Sequence, residues 1–147
     1  AITLWPSKTI SGVHRTYLTA GGSGKAPLSP NKMMLGSIKG GAVRLAVPGP
    51  QLILAEGIET ALSCLHATHV PTWSCLSTSG MMDVIVPPLE IASEIIICAD
   101  GDSAGQNAAD KLAKRLHGAG YIVRIASPPQ DQAFNDILSS EERASKE

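Results

Sequence analysis

The sequence predicts an α/β fold, in which a compact, mainly parallel sheet carries helices on both faces and follows a small antiparallel β subdomain. After residue 50, apolar strand-like runs alternate with helical patterns, which is typical of parallel strands joined by crossover helices. Before residue 50, short alternating segments are broken by clusters of Gly and Pro, as in hairpins. Because aromatic residues make up only 3% of the 147, the core must be aliphatic.

The first 50 residues are predicted to form the small β subdomain, and they are rich in basic side chains. Alternating segments at 13–20 and 32–47 flank a loop containing GGSGK. This loop lacks the Gly and Ser/Thr positions of a phosphate-binding P-loop, so a hairpin loop with glycines at positive φ is the better interpretation. The basic residues of the region are Arg15, Lys25, Lys32, Lys39 and Arg44. Charge alone leaves open whether they form a positive patch or a solvated sheet face.

A boundary is predicted at residue 50, because Val47-Pro48-Gly49-Pro50 favours an extended connector. The main α/β domain is expected to span 51–138. The segment 139–147 is a polar C-terminal tail that should fray.

Two helices are predicted from apolar stripes at i, i+3, i+4 and i+7 spacing. The stripes are Ile58, Ala61, Leu62 and Leu65 in the first helix, and Ala109, Leu112, Ala113 and Leu116 in the second. Gly118 and Gly120 are expected to supply the left-handed stop of the second helix.

Two acidic motifs end apolar strands: LILAEGIET (52–60) and EIIICADGDSAG (94–105). In an open parallel sheet, ligands bind beyond the carboxyl ends of the strands, which is where Glu56 and Asp100 fall. Asp100 and Asp102 form a D-x-D pair that would repel unless a cation lay between them. Oxygen ligands of this kind suit Mg²⁺ or Mn²⁺, so a metal site is predicted here, with Glu56 as a candidate catalytic residue.

An Asp that follows a strand and precedes a helix is often only an N-cap, and this alternative applies to the D-x-D pair. Ser103 and Gln106, however, form an S-x-x-Q capping box, which predicts that Ser103 caps the helix and leaves Asp100 and Asp102 free. Asp131 and Asp136 follow the last predicted strand. They could reach the same edge or serve as turn or helix-cap residues.

Composition narrows the class of protein. The net charge of −1 gives no global basic field, so any polyanion site must be a local patch. The cysteines are odd in number and lack a CxxC spacing, which predicts reduced, buried thiols, no zinc site and a cytoplasmic location. No apolar run is long enough to cross a bilayer. The chain starts at Ala1 without Met, which is expected of a fragment of a longer polypeptide.

The order of these motifs resembles a known family. Glu56-Gly57 between a strand and a helix, followed by an apolar strand into the segment 100–105, is similar to the Toprim domain of bacterial-type DNA primases, topoisomerases, OLD-family nucleases and RecR-like recombination proteins. The segments 25–30 and 39–45 resemble the basic motifs of DnaG-like primases of phage and plasmid type, and 128–136 resembles their third acidic motif. Such primases often place an Asp four residues after the Glu, where this chain has Thr60.

The resemblance implies a Toprim-type fold and a set of roles. Asp100 and Asp102, with Asp136, would hold Mg²⁺ or Mn²⁺, and Glu56 would be a general base or a further metal ligand. The basic motifs, with Lys25, Lys39 and Arg44, would bind phosphates of nucleotide or nucleic acid. The implied partners are a single-stranded DNA template, nucleoside triphosphates, and helicase or other domains of a longer polypeptide.

The function predicted from this resemblance is metal-dependent nucleotidyl transfer by the catalytic core of a DNA primase. Two alternatives stay open on the sequence. A Toprim nuclease would use the same acids to cleave phosphodiesters, and a RecR-like module would bind DNA without catalysis.

Overall fold

The structure is a computed structural model, and it describes residues 1–128. The predicted tail 139–147, Asp131 and Asp136 lie outside these residues. The elements are β1 (Ile2–Thr3), β2 (Ile10–Thr16), β3 (Lys32–Gly36), β4 (Val43–Arg44), β5 (Gln51–Ala55), α1 (Ile58–Thr68), β6 (Thr72–Ser74), α2 (Thr78–Asp83), β7 (Glu94–Cys98), α3 (Ser103–Gly118) and β8 (Ile122–Ala126).

The strands form two sheets, which confirms the predicted fold class. The three-stranded sheet β1-β2-β3 is antiparallel, and the five-stranded sheet has the order β4-β6-β5-β7-β8. In the larger sheet β6, β5, β7 and β8 run parallel, and β4 pairs antiparallel with β6. The segment before residue 50 therefore contributes an edge strand to the larger sheet, which the sequence pattern did not indicate.

Helices cover both faces of the five-stranded sheet. Side chains on a strand alternate between faces, so Leu52 and Leu54 pack on one side, in the core that includes α2 and α3 residues. Ile53 and Ala55 pack on the other side, in a smaller core that includes α1 residues. Burial on both faces explains why these strands read as continuous apolar runs.

The helical stripes were predicted with unequal success. In α3, Ala109, Leu112 and Leu116 are buried as predicted. In α1, the prediction for Leu62 was wrong, because this side chain is 52% exposed. The face of α1 that meets the sheet consists of Thr60, Ala61 and Cys64 instead, and two of these residues are small enough to allow close packing.

The prediction for the end of α3 was confirmed only in part, whereas the prediction for the cysteines was confirmed. Gly120 adopts φ +95° after α3, whereas Gly118 is the last helical residue and does not supply the left-handed stop. The three cysteines are buried and free, as predicted. None of the helices within residues 1–128 is long and apolar enough to cross a membrane.

Candidate active site at the carboxyl edge of the sheet

Three carboxylates lie at the carboxyl edge of the two central strands. Glu56 follows β5, and Asp100 and Asp102 follow β7. The strands are hydrogen-bonded neighbours, and the amide of Glu56 donates to the carbonyl of Cys98 at 3.3 Å. Side chains separated by more than forty positions in the sequence are thereby brought to one edge.

Thr60 fixes one oxygen of Asp100. Its hydroxyl donates to Oδ1 of Asp100 at 3.2 Å, and the Thr60 side chain is almost fully buried. In the sequence, Thr60 stands where the resembled primases often have an Asp. The spacing of Thr60 could have identified it as a site residue. Thr60 follows Glu56 by four residues and lies in the first turn of α1, so its side chain faces the same edge.

Asp102, not Ser103, caps α3, so the predicted Ser103 capping box was wrong. Asp102 has extended backbone angles, and its Oδ1 accepts a hydrogen bond from the amide of Gly105 at 2.6 Å. Ser103 is already the first helical residue, and Gln106 donates to the carbonyl of Gly101 instead. The cap uses one carboxylate oxygen of an exposed side chain, so capping does not prevent the other oxygen from binding a cation.

Gly105 allows the acids to approach one another. A Cβ at this position would lie 2.9 Å from the carbonyl oxygen of Asp100, 3.0 Å from Oε2 of Glu56 and 3.2 Å from Oδ1 of Asp102. The first two distances are too short for a Cβ without a shift of its neighbours. Because Gly105 lies within α3, its backbone conformation would accept any residue, and the site requires glycine here only because there is no space for a Cβ.

Glu56 is the most perturbed acid of the site. Its Oε2 is shielded from solvent and has no hydrogen-bond partner among residues 1–128. Burial, followed by repulsion from Asp100 and Asp102, raises the pKa of Glu56 from 4.5 to about 7, although a backbone hydrogen bond from Asp100 and the charge of Lys32 oppose this rise. An orphaned carboxylate oxygen beside two further acids is an environment that a cation would stabilise.

The donor set fits a divalent cation in chemistry but is incomplete in number. All the acids offer oxygen, the ligand type that Mg²⁺ and Mn²⁺ prefer. Within residues 1–128, no three His, Cys, Asp or Glu side chains converge closely enough to hold a metal ion by themselves. Remaining ligands would therefore come from water, substrate oxygens or acids beyond residue 128.

Two lysines of the antiparallel sheet reach the same edge through Glu59, in the first turn of α1. Nζ of Lys25 and Nζ of Lys32 both lie 3.2 Å from Oε1 of Glu59. Burial raises the pKa of Glu59, but a hydrogen bond from its own backbone and the two lysines outweigh this effect and lower the pKa to about 2. The loop with GGSGK joins β2 and β3 as a hairpin loop, as predicted, but of its three glycines only Gly22 has a positive φ, +69°. Nothing in the sequence pattern distinguished Lys32 from the other basic residues of its region.

The structure places Lys39 and Arg44 differently. Lys39 lines a small cleft of about 150 Å³ together with Cys75, which follows β6 and donates through its amide to the carbonyl of Ala55. Lys39 therefore lies near the carboxyl end of β6, the strand next to the one that leads to Glu56.

Arg44 is not brought to the acids by its described contacts. Its guanidinium lies 5.6 Å from the ring centroids of both Trp5 and Trp73, and it donates to the carbonyl of Ser7. Arg44 and Trp5 line a separate cleft of about 530 Å³, to which Lys8 also contributes.

Two parts of the chain, residues 1–45 and 51–144, match known protein families. The Toprim domain family matches residues 51–144, and a domain of unknown function (DUF7146) matches residues 1–45. No curated protein sequence matches the chain.

Several solved structures share the fold. The primase fragment of the bacteriophage T7 primase-helicase protein superposes with a TM-score of 0.62 at 20% identity, covering 92% of this chain and 60% of that one. A DNA primase domain from Pseudomonas aeruginosa superposes with a TM-score of 0.59 at 13% identity, covering 95% and 50%. The DnaG primase catalytic domain bound to ssDNA gives 0.61 at 13% identity, covering 92% and 51%. This chain thus spans only about half the length of most of these structures.

Proposed function

The chain belongs to the Toprim domain family, and from this premise we propose that it is the catalytic core of a DNA primase. It would join nucleoside triphosphates into short primers on a single-stranded DNA template. The observation that carries the proposal is the arrangement of Glu56, Asp100 and Asp102 at one sheet edge, with Lys25 and Lys32 facing it across Glu59.

Glu56, Asp100 and Asp102 would hold Mg²⁺ or Mn²⁺, and Asp136 is a further candidate beyond the described residues. When bound, the ion would stabilise negative charge on the transferring phosphoryl group. Thr60 would keep Asp100 oriented, and the amide of Gly105 would do the same for Asp102. Both aspartates would thus enter the reaction with fixed positions.

Glu56 is proposed either to accept a proton from the attacking hydroxyl or to act as a metal ligand. A carboxyl with a pKa of about 7 is a suitable base at neutral pH. Its orphaned Oε2 supports either role. The two roles differ in the pH dependence of primer synthesis, because a bound cation would lower the pKa of Glu56 below neutrality.

The lysines are proposed to bind phosphates. Lys25 and Lys32 would contact the nucleotide beside the acids, and Lys39 would contact it from the cleft near β6. Arg44 lies in the other cleft, which the acids do not line. We therefore propose that a phosphate bound there belongs to the template and not to the incoming nucleotide. Electrostatic contacts of this kind do not depend on base sequence.

Helicase or other domains are proposed as partners. The T7 fragment with the same fold comes from a primase-helicase protein, and this chain covers 60% of that fragment. Template binding and translocation would then be shared with parts of a longer polypeptide.

The test is primer synthesis from labelled nucleotides on single-stranded DNA with Mg²⁺ or Mn²⁺. Asp100→Asn and Asp102→Asn should each lower the rate by roughly 100-fold or more, since even outer partners of metal ligands contribute about 10- to 100-fold. Asp110→Asn is the matched control, because Asp110 is exposed on α3 outside the site. Equal synthesis by the two site variants and the control would contradict the proposal.

The same variants discriminate the alternatives. Metal-dependent cleavage of DNA without nucleotides, lost in Asp100→Asn, would identify a Toprim nuclease instead. Failure of Mg²⁺ to bind in a calorimetric titration of the wild type would favour a non-catalytic DNA-binding module.

A further inference from the structure

Glu59 joins the two sheets through a pair of lysines. Lys25 lies in the loop between β2 and β3, and Lys32 begins β3. Both ammonium groups approach the same oxygen of Glu59 at 3.2 Å, and Lys32 also donates to its other oxygen at 3.3 Å. Since Glu59 is in the first turn of α1, these contacts hold the antiparallel sheet against the edge that carries the acids.

The carboxylate compensates an arrangement that would otherwise be unfavourable. Two ammonium groups that close repel each other, and without a counter-charge they would separate on their flexible stems. Glu59 holds them together, three residues beyond Glu56 in the sequence. The charge of Lys32 reaches Glu56, where it partly offsets the effect of burial on the pKa of that residue.

The lysines keep the capacity to bind another anion. An ammonium group has three donors, and Glu59 does not use all of them. The side chains of Lys25 and Lys32 are 44% and 38% exposed, so a ligand can reach them from solvent. A polyphosphate has several strong acceptor oxygens and would match two converging ammonium groups.

We propose that Glu59 is a positioning residue, which holds Lys25 and Lys32 at the acid edge so that they bind the triphosphate of the incoming nucleotide. The inference rests on the proposed primase function and deepens it. Glu59 does not touch the substrate in this scheme. It acts through the lysines, which would keep their bonds to Glu59 while donating their remaining hydrogens to phosphate oxygens.

The test measures binding of inorganic tripolyphosphate to the full 147-residue chain by calorimetry. Glu59→Gln should weaken binding by roughly five- to tenfold, the size expected when two exposed ion pairs no longer orient their lysines. Lys25→Met should weaken binding in the wild type but add little in the Glu59→Gln background, because the two residues act as a unit. Unchanged affinity of Glu59→Gln, or additive effects of the two changes, would overturn the proposal.

Glu94→Gln is the matched control. Glu94 begins β7 at the opposite edge of the sheet and forms an ion pair with Arg124 at 2.7 Å, so its loss should leave tripolyphosphate affinity unchanged. Tighter binding by Glu59→Gln would show that the carboxylate competes with phosphate, which also contradicts positioning. If Glu59→Gln does not fold, Glu59→Asp keeps the charge but shortens the reach, and an affinity equal to wild type would refute the role.

Nucleotide kinetics separate this inference from the primase proposal. In primer synthesis, Glu59→Gln should raise KM for nucleotide by the same factor as the tripolyphosphate affinity, with kcat little changed. A wild type that makes no primers but shows the predicted tripolyphosphate pattern would refute the primase function and retain the positioning of the lysines. An active wild type whose KM is insensitive to Glu59→Gln would retain the primase function and refute the positioning role of Glu59.

Discussion

Replacing Glu56 by Gln should stabilise the protein at pH 8 and leave its stability nearly unchanged at pH 4. The pKa of Glu56 is raised from 4.5 to about 7 in the folded state. Between these values the unfolded chain releases a proton that the folded protein retains. The wild type therefore loses stability as the pH rises through this window, whereas Gln does not titrate.

The size of the effect follows from the pKa. One pKa unit corresponds to about 1.36 kcal/mol, so a rise from 4.5 to about 7 sets an upper limit of about 3.4 kcal/mol. Glu56 is only half-buried, and screening by solvent reduces such a value. We therefore expect Glu56→Gln to gain about 1–2 kcal/mol in free energy of unfolding at pH 8.

The assay is urea unfolding of wild type and variant between pH 4 and pH 8. Glu59→Gln serves as a control of opposite sign: the lowered pKa of Glu59, about 2, means that its contribution is present above pH 4.5 and lost as the pH falls towards 2. That variant should be destabilised at pH 8. Parallel pH profiles of wild type and Glu56→Gln would refute the reasoning about Glu56.

Mg²⁺ at pH 8 should stabilise the wild type more than Glu56→Gln, since only the wild type retains this carboxylate as a ligand.

Three further predictions concern the neighbours of the acids. Gly105→Ala should destabilise the protein by about 1–3 kcal/mol in thermal unfolding and abolish Mg²⁺ binding, because the added Cβ would lie 2.9 Å from the Asp100 carbonyl oxygen. The control is Gly118→Ala, whose Cβ would meet nothing within 4 Å, so this variant should be neutral or slightly stabilising. Thr60→Val should cost about 1 kcal/mol in urea unfolding by removing the hydrogen bond to Asp100, while Thr60→Ser should keep it, and equal losses in both would contradict the assignment. Asp102→Ala should cost about 1 kcal/mol by loss of the cap, whereas Asp102→Asn should keep the stability and lose Mg²⁺ affinity in calorimetry; a stability loss as large in Asn as in Ala would argue against the cap.

Much of the site was predictable because parallel strands deliver their ends to one edge. The apolar runs before Glu56 and Asp100 identify two strands, and neighbouring parallel strands bring their carboxyl ends together. The resemblance to the Toprim domain is confirmed by the family match, which covers 51–144. The roles of Asp136 and Asp131, and the boundary at residue 50, stay predictions.

Local patterns failed where two interpretations were both compatible with the sequence. Either Asp102 or Ser103 could cap α3, and the choice depends on where the chain leaves β7, since Asp102 there adopts the extended conformation of an N-cap. The apolar stripe of α1 could face the sheet through Leu62 or through Thr60 and Cys64. Packing chose the second, because small side chains on α1 allow it to approach β5 and β6.

The sequence by itself determined the alternation of strands and helices, the two acidic strand ends and a core that is mainly aliphatic, with Trp73 as a buried exception, because these depend on composition and on the periodicity of nearby residues. Only the tertiary structure decided the electrostatics of the edge. Glu56 acquires its raised pKa from burial and from acids more than forty positions away, and Lys25 reaches Glu59 only because the hairpin folds against α1. Burial and Coulomb interactions depend on distance in space, which spacing along a chain does not specify.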